Sequence, residues 1–199
     1  MNLPNKLTIL RIILVPIMVI IPFLGIKGDL WGIPITYLLV DLIFIIAAIT
    51  DKLDGHIARS RNQITTFGKF LDTIADKIVV IAAMIMLVEF GHLPAWIPII
   101  IIFREFIVSG YRLVAVQKEG NVIAASIWGK MKTVTQMIAV ILAFIDPNPY
   151  GTIFNGNLTG YAFGINLLVT LMMSVSVVAT IFSGWEYVKN GKELFKDSM

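Results

Sequence analysis

The sequence predicts an all-α, polytopic membrane protein with six transmembrane helices and one functional site in a cavity that faces the cytoplasm. Three observations lead to this fold class. Hydrophobic residues make up 57% of the 199 residues, charged residues only 15%, and the mean hydropathy is +0.85, a balance typical of integral membrane proteins. Six long apolar runs alternate with short polar or turn-rich stretches. Basic residues are concentrated at the ends of these runs that would lie on the same side of the membrane as the two termini.

The first three apolar segments cover about residues 7–24, 33–58 and 68–90. The first begins just after Asn5, a residue type that caps free N–H groups at helix starts. No small-residue cleavage site follows it, so we interpret it as an uncleaved membrane helix rather than a signal peptide. A loop at 25–32 separates the first two segments, and a polar connector at 60–67 separates the second from the third.

The last three segments cover about residues 95–116, 125–145 and 161–185. A turn at 91–94 precedes the fourth, a polar loop at 117–121 follows it, and a turn-rich stretch at 146–160 without Lys or Arg precedes the sixth. A single domain over residues 1–199 accounts for all six.

The distribution of basic residues predicts the orientation of the chain. Six spans place both termini on one side of the membrane, and the opposite loops carry only Lys27. By the positive-inside rule, the termini and the connector at 60–67 are cytoplasmic, and the protein is a multi-pass protein of the cell membrane. The basic residues on the terminal side are Lys6, Arg11, Arg59, Arg61, Lys69, Lys118, Lys130, Lys189, Lys192 and Lys196.

Four aspartates beside apolar runs are the strongest functional signal. Asp51 and Asp54 are three residues apart, and Asp72 and Asp76 are four apart, so each pair lies on one face of its helix. Ionised side chains at such places are costly and indicate function. Four facing carboxylates require cations, and an oxygen-only donor set without cysteine favours Mg²⁺, Mn²⁺ or Ca²⁺ over zinc. The alternative, surface pairing with nearby Lys and Arg, does not require two pairs at matched spacing.

Small residues lie beside these carboxylates on the same helical faces. Gly55 and Ala58 each follow an aspartate by four residues, and Gly68 precedes one by four. A ligand can approach the backbone there, although small residues at this spacing also serve plain helix packing. The whole pattern, DxxDGxxARx8GxxxDxxxD, resembles the signature of the CDP-alcohol phosphatidyltransferases, and it is fully matched. The matching residues are Asp51, Asp54, Gly55, Ala58, Arg59, Gly68, Asp72 and Asp76.

The resemblance implies a reaction and a role for each of these residues. In the family, divalent metal holds the diphosphate of a CDP-linked lipid, and an alcohol hydroxyl attacks the lipid-bearing phosphorus and releases CMP. By that analogy all four aspartates are ligands of Mg²⁺ or Mn²⁺, and Asp76 is also the general base. Gly55, Ala58 and Gly68 would line the cytidine site with Asp54, and Arg59 would bind the diphosphate.

A second set of residues points to the alcohol acceptor. Glu105, Ser109 and Arg112 form a polar seam on one face of the fourth segment, and Lys130 and Lys132 open the fifth. The runs NLPNKLTILR, REFIVSGYRLVA and GKMKTVTQ resemble bacterial phosphatidylglycerophosphate synthases, a group within the family whose acceptor is glycerol 3-phosphate. Ser109, Arg112, Lys130, Lys132 and Arg11 would then bind the acceptor phosphate. Contacts with lipid headgroups are the alternative for each single cation. The resemblance also implies CDP-diacylglycerol as donor and a homodimer.

Three other functions remain open at the level of sequence. A sister phosphatidyltransferase that uses inositol phosphate or phosphatidylglycerol as acceptor would share the whole aspartate motif. A membrane prenyltransferase would also use Mg²⁺ and a diphosphate, but its motif requires a further aspartate where Ala58 stands. A transporter or a non-catalytic scaffold with a cation site is disfavoured because no inverted repeat is visible and the carboxylates lie at one face rather than at the midplane.

Overall fold

The structure is a computed structural model that describes residues 3–60, 66–119 and 127–190. Side chains are described throughout these ranges except at residues 3–4, 52, 54–60, 66–67, 69, 113–119 and 190. The predicted connectors at 60–67 and 117–121 therefore lie mostly outside the described residues.

Six α-helices make up most of the described chain, which confirms the helical fold class. They are α1 (Leu3–Ile20), α2 (Ile35–Ser60), α3 (Thr66–Glu89), α4 (Trp96–Glu119), α5 (Ile127–Ile145) and α6 (Gly160–Asn190). A short antiparallel hairpin, formed by β1 (Asp29–Leu30) and β2 (Ile33–Pro34), begins in the loop predicted at 25–32 and extends beyond it, so α2 begins two residues after the predicted start at 33. A 3₁₀ turn at Ile21–Leu24 follows α1, and another at Thr152–Asn155 precedes α6.

Three of the helices in the described part of the chain are long and apolar enough to cross a membrane. These spans are Asn5–Leu24, Ile127–Ile145 and Gly160–Lys189, on α1, α5 and α6. The other three helices are also long enough, at 24 to 26 residues, but they carry the aspartates and the charged seam. The three long apolar helices therefore support a membrane protein. Helices α2, α3 and α4 differ from them in carrying charged residues within their length.

The hydrophobic core lies between all six helices. α5 and α6 pack together most extensively, and α1 packs against both α2 and α3. Fully buried side chains come from each helix, and they include Met18, Phe44, Leu87, Ile101, Phe144 and Met173. The turn between α3 and α4 is fixed by Gly91, whose φ of +75° lets the chain double back. The N–H groups of the next two residues then bond to the Leu87 carbonyl at 2.9 and 3.2 Å.

The bundle has two chemically different ends. At one end, called the loop end, the Tyr37 ring at the start of α2 stacks on Phe90 at the end of α3, with the ring centroids 4.2 Å apart. The backbone N–H of Tyr150, after α5, donates to the His92 carbonyl at 2.9 Å. The start of α2, the end of α3 and the end of α5 therefore meet there. The later part of α2 and the first turns of α3, which carry the aspartates, lie at the opposite end.

A buried polar network holds the connection between α5 and α6 at the loop end. Asp146 and Asn166 are both fully buried, and the Asn166 amide donates to the Asp146 carboxylate at 2.7 Å. The same amide donates to the Pro149 carbonyl at 2.9 Å and accepts the Ile153 N–H at 3.0 Å. One side chain thus satisfies a fully buried carboxylate and two part-buried backbone groups, so the network fixes the path of the connection.

We expect Asn166→Leu to lower the free energy of unfolding by about 2 kcal/mol, because it leaves the buried Asp146 carboxylate without this donor and the part-buried Ile153 N–H without its acceptor. Unfolding in mixed micelles, titrated with a denaturing detergent, measures the loss. Asn157→Leu is the matched control, because it makes the same chemical change at an exposed position of the same connection. An equal loss in both variants would show that the buried hydrogen bonds contribute nothing specific.

Candidate functional site

Three aspartates from two helices converge on one arginine from a third. The Nη1 atom of Arg11, on α1, lies 2.7 Å from Asp51 Oδ1 on α2. It lies 3.4 and 3.8 Å from the Oδ1 atoms of Asp72 and Asp76 on α3. These four residues are called the carboxylate cluster. The sequence spacing explains the geometry, since Asp72 and Asp76 are one helical turn apart and face the same neighbours.

Exposure rises across the carboxylate cluster. The Arg11 side chain is only 1% exposed, whereas those of Asp51, Asp72 and Asp76 are 36%, 51% and 62% exposed. The cluster therefore has a buried cation at its base and open carboxylates at its rim. Asp76 is the most open of the three and is the furthest from the guanidinium, so its oxygens are the best placed to meet a ligand.

The donor chemistry of the cluster fits a hard divalent cation. Its three acidic side chains offer only carboxylate oxygens, and these oxygens surround the positive charge of the Arg11 guanidinium. Among the described side chains, no group of three or more His, Cys, Asp or Glu forms a ready metal-binding set. Asp54, which the sequence adds as a fourth ligand, has its backbone in α2 but its side chain lies outside the description.

A cavity of about 720 Å³ opens beside the cluster. Asp51, Asp72 and Asp76 form one wall of it, and cations from α4 and α5 form the other. Apolar residues such as Met84 and Ile101 line part of the remainder. The basic residues that line it are Lys77, Arg104, Arg112, Lys130 and Lys132. Acidic and basic side chains thus line one space that is large enough for a small phosphorylated compound.

Glu105 organises the cationic wall. Its Oε1 atom accepts from Lys132 Nζ at 2.5 Å and from Arg104 Nη1 at 2.9 Å. Lys132 is buried and Glu105 is 18% exposed, so this is a largely desolvated charge network. The neighbouring Ser109 hydroxyl donates to the Glu105 backbone carbonyl at 2.6 Å and accepts from Lys77 Nζ at 2.5 Å. These bonds fix the cations relative to one another before any ligand binds.

Residues near the end of α6 hold the two arginines of the same wall. Arg112 Nη2 donates to the Tyr187 hydroxyl at 2.7 Å, and Arg104 Nη2 donates to the Ser183 hydroxyl. The Tyr187 ring also lies 5.8 Å from the Arg104 guanidinium and 5.5 Å from that of Arg112. Both distances are within the range of cation–π attraction. Tyr187 is buried, so α6 gives the guanidinium pair a rigid support.

The structure brings together most of the site residues that the sequence singled out. Arg112, Lys130 and Lys132 line the same cavity as Asp51, Asp72 and Asp76. Gly68 lies one helical turn before Asp72 in α3. Gly55, Ala58 and Arg59 lie in the last turns of α2, and their side chains are outside the description.

Two expected acceptor residues are placed differently from the other cations. Arg11 makes its ion pairs within the carboxylate cluster, on the aspartate side. Ser109 is engaged by Lys77 and by the backbone of its own helix. A direct contact of either residue with an acceptor phosphate stays a prediction.

Sequence reasoning did not assign Lys77, Ser183 or Tyr187 to the site. Lys77 directly follows Asp76, which is the last residue of the aspartate motif, so the motif itself does not include it. Ser183 and Tyr187 are four residues apart and share a face of α6, which is the available signal. That face reaches the cavity only because α6 packs against α4.

This arrangement suits the joining of two phosphorylated compounds. The carboxylates can hold a cation and accept a proton, and the guanidinium and ammonium groups can bind phosphate oxygens through charge-assisted hydrogen bonds.

Comparison with known proteins gives one consistent result. The family model described as CDP-alcohol phosphatidyltransferase matches residues 1–182. A Bacillus subtilis protein named CDP-diacylglycerol–glycerol-3-phosphate 3-phosphatidyltransferase is 42% identical over 205 residues, covering 99% of this chain and 98% of that protein. A protein of the same name from Haemophilus influenzae is 36% identical, over 100% of this chain and 97% of that protein. Another from Pseudomonas fluorescens is 35% identical, over 95% of this chain and 93% of that protein.

Proposed function

Because the chain belongs to the CDP-alcohol phosphatidyltransferase family, we propose that it transfers the phosphatidyl group of CDP-diacylglycerol to glycerol 3-phosphate. The products are phosphatidylglycerol phosphate and CMP, and the reaction belongs to phospholipid biosynthesis. The relatives that carry this activity in their names align over nearly the whole chain, so the proposal covers the donor, the acceptor and the class of enzyme.

The observation that carries the proposal is the two-walled cavity. One wall offers open carboxylates at Asp72 and Asp76, and the other offers Arg112 and Lys130, which are both exposed. An enzyme with an uncharged alcohol as acceptor has no use for a second group of cations, whereas a phosphorylated acceptor does. The charge distribution therefore supports a phosphorylated acceptor, and the names of the relatives point to glycerol 3-phosphate among such acceptors.

Asp51, Asp54, Asp72 and Asp76 would hold Mg²⁺ or Mn²⁺. When bound, the cation neutralises the charge that gathers on the diphosphate leaving group. Asp76 accepts the proton of the attacking hydroxyl of the acceptor. The hydroxyl oxygen then bonds to the lipid-bearing phosphorus, and the bond from that phosphorus to the CMP oxygen breaks. Asp54, Gly55, Ala58, Arg59 and Gly68 bind the CDP part of the donor.

Arg112 and Lys130 bind the acceptor phosphate directly. The bond to Tyr187 uses one of the five N–H donors of Arg112 and orients its guanidinium, which is the group suited to two-pronged binding of phosphate. Lys132 adds positive charge to the wall while its ammonium stays on Glu105. Ser109 and Arg11 support the two walls through the contacts described above.

We expect Arg112→Gln to raise the KM for glycerol 3-phosphate about 10- to 100-fold, because a charge-assisted pair with phosphate is worth roughly 1.5–3 kcal/mol. The KM for CDP-diacylglycerol should change much less. Steady-state kinetics with each substrate varied in turn separates the two effects. Lys189→Gln is the control, since it removes a cation from α6 close to Tyr187 in sequence but outside the cavity lining. Equal increases in both KM values would remove Arg112 from the acceptor site.

The activity itself is tested by CMP release from the purified protein in detergent. CDP-diacylglycerol is supplied with glycerol 3-phosphate, inositol phosphate or phosphatidylglycerol, each with Mg²⁺ and with chelator. We expect release only with glycerol 3-phosphate and metal. Release with another acceptor would identify a sister phosphatidyltransferase. Release in the presence of chelator would contradict the proposed dependence on a divalent metal. If no acceptor gives CMP release, the proposed phosphatidyltransferase activity is wrong.

The family and the charge distribution also support an arrangement in the membrane. All six helices span the cell membrane as one domain over residues 1–199, with both termini and the cavity on the cytoplasmic side, where the basic residues are concentrated. The protein acts as a homodimer, which the resemblance to the family supports. Cysteine variants near each terminus, labelled from one side of sealed vesicles, test the orientation, and cross-linking in native membranes tests the dimer.

A further inference from the structure

The connection between α1 and α2 is a tight hairpin that presents a tryptophan at its tip. Asp29 pairs with Pro34 and Leu30 with Ile33, which leaves Trp31 and Gly32 as a two-residue turn. The Ile35 N–H donates to the Gly28 carbonyl at 3.1 Å and closes the base of the hairpin. Both turn residues have positive φ, +56° at Trp31 and +79° at Gly32, as a two-residue hairpin turn of type I′ requires.

Trp31 is an unfavourable residue for this position. It is the only non-glycine residue with positive φ in the described part of the chain. Asn, Asp or Gly normally fills the first place of such a turn, because a bulky side chain meets steric resistance in the left-handed region. The side chain is 90% exposed, so packing within the chain does not offset the strain. Strain of this kind persists where the residue serves a purpose outside its own fold.

An exposed apolar surface of α1 precedes the hairpin in the chain. Exposed residues recur along this helix and its closing 3₁₀ turn at intervals of three or four and form one stripe, called the α1 stripe. It runs along the candidate span Asn5–Leu24, which ends four residues before the hairpin, where Leu30 is also half exposed. The members of the α1 stripe are Leu10, Ile13, Ile17, Ile20 and Leu24.

A second connection at the same end of the bundle also exposes aromatic side chains. Phe154, between α5 and α6, is 80% exposed, and Tyr161, in the first turn of α6, is 77% exposed. They belong to the loop end, because Tyr150 of the same connection bonds to His92 and the edge of the His92 ring packs against Tyr37 at the start of α2. Aromatic residues with one apolar and one polar part collect where hydrocarbon meets headgroups.

We infer that the Trp31 hairpin inserts into the headgroup region of the lipid leaflet at the loop end, and anchors α1 at a fixed depth. The occupant of this surface is lipid, because the α1 stripe that precedes the hairpin is the outer face of a candidate membrane span. α1 also carries Arg11 of the carboxylate cluster. Arg11 lies 13 residues before Leu24, or about 20 Å along the helix, so the anchor at one end sets the depth of the cluster at the other.

Tryptophan fluorescence tests the anchor in the full-length protein. Trp96, Trp128 and Trp185 are changed to Phe, which leaves Trp31 as the only tryptophan, and the protein is reconstituted in phosphatidylcholine vesicles. Separate vesicle preparations carry bromine near the headgroup end or near the middle of the acyl chains. The same protein with Trp31→Phe as well gives the background.

We expect blue-shifted emission, stronger quenching by shallow than by deep bromine, and weak quenching by acrylamide in the water. Strong acrylamide quenching without bromine quenching would place Trp31 in water and overturn the inference. Protection from both quenchers would mean that protein, such as a second copy, covers the residue, and stronger quenching by deep bromine would place it within the hydrocarbon. Either of these results also overturns the inference.

A stability measurement tests the same inference independently. We expect Trp31→Asn to raise the unfolding temperature in detergent, because Asn adopts positive φ more readily than Trp. In lipid vesicles this gain should shrink or reverse, because the anchor is lost. Leu30→Asn is the matched control, since it removes an exposed apolar residue of the hairpin without changing the turn position. An equal gain for Trp31→Asn in detergent and in vesicles would mean that the side chain has no partner in the membrane.

Discussion

Asp76→Asn is expected to lower the rate of phosphatidyl transfer by about 10²- to 10⁴-fold while the binding of CDP-diacylglycerol stays measurable. Asparagine has nearly the same shape as aspartate but cannot take a proton from the attacking hydroxyl, and a positioned base contributes an acceleration of this size. The structure favours Asp76 for this role because its side chain is the most exposed of the three described carboxylates and lines the cavity. Single-turnover CMP release and separate binding of the donor measure the two quantities.

A control is needed because Asp76 is also a proposed metal ligand. Asp41→Asn makes the same chemical change in α2, at a buried position ten residues before Asp51 and outside the cavity lining. Its turnover should stay close to that of the unchanged protein. The affinity of each variant for Mn²⁺ is measured as well. If Asp76→Asn loses donor binding entirely with the fold intact, or loses activity only in proportion to metal binding, Asp76 is not the base.

Glu105→Leu is expected to lower the free energy of unfolding by about 3–5 kcal/mol, the usual result when one partner of a buried ion pair is removed. Glu105 is shared by two cations, at 2.5 Å from Lys132 Nζ and 2.9 Å from Arg104 Nη1. Its loss leaves both of them poorly solvated and facing each other. Lys132→Met should have a smaller effect, because Glu105 then keeps its contact with Arg104.

A double-mutant cycle checks the network. The variant with both Glu105→Leu and Lys132→Met should be more stable than the sum of the two single losses predicts, because the changes remove a positive and a negative charge together. Titration of each protein with a denaturing detergent in mixed micelles gives the four free energies. Losses below about 1 kcal/mol in both single variants, as for exposed pairs, would contradict a desolvated network.

The carboxylate side of the site could be read from the sequence because it depends on local spacing. Asp72 and Asp76 lie one turn apart in one helix, so the helix alone brings their side chains to one face. The family motif then joined them to Asp51 and Asp54, and the family comparison agrees with the motif. The six helices were also predictable, since the length and periodicity of an apolar run are local properties.

The partners of the cations depended on packing between distant helices. Arg11 is 61 residues from Asp72 in the chain, yet it lies in the carboxylate cluster, a contact that the sequence did not predict. Tyr187 and Ser183 support arginines that are 75 and 79 residues away, and their positions in an apolar run gave only a weak signal. The hairpin at 29–34 was missed because two-residue strands are too short to show an alternating pattern.

The sequence by itself thus determined the helical membrane class, the family, the aspartate motif and the side of the bundle on which the charges gather. Each of these follows from composition, from the distribution of charge along the chain, or from residue spacing in a continuous stretch of sequence. Only the tertiary structure decided that Arg11 neutralises the aspartates, that Glu105 ties Lys132 to Arg104, and that α6 orients Arg112 through Tyr187. These contacts join residues on different helices, and the packing of those helices depends on the shape of the whole core, which no single segment encodes.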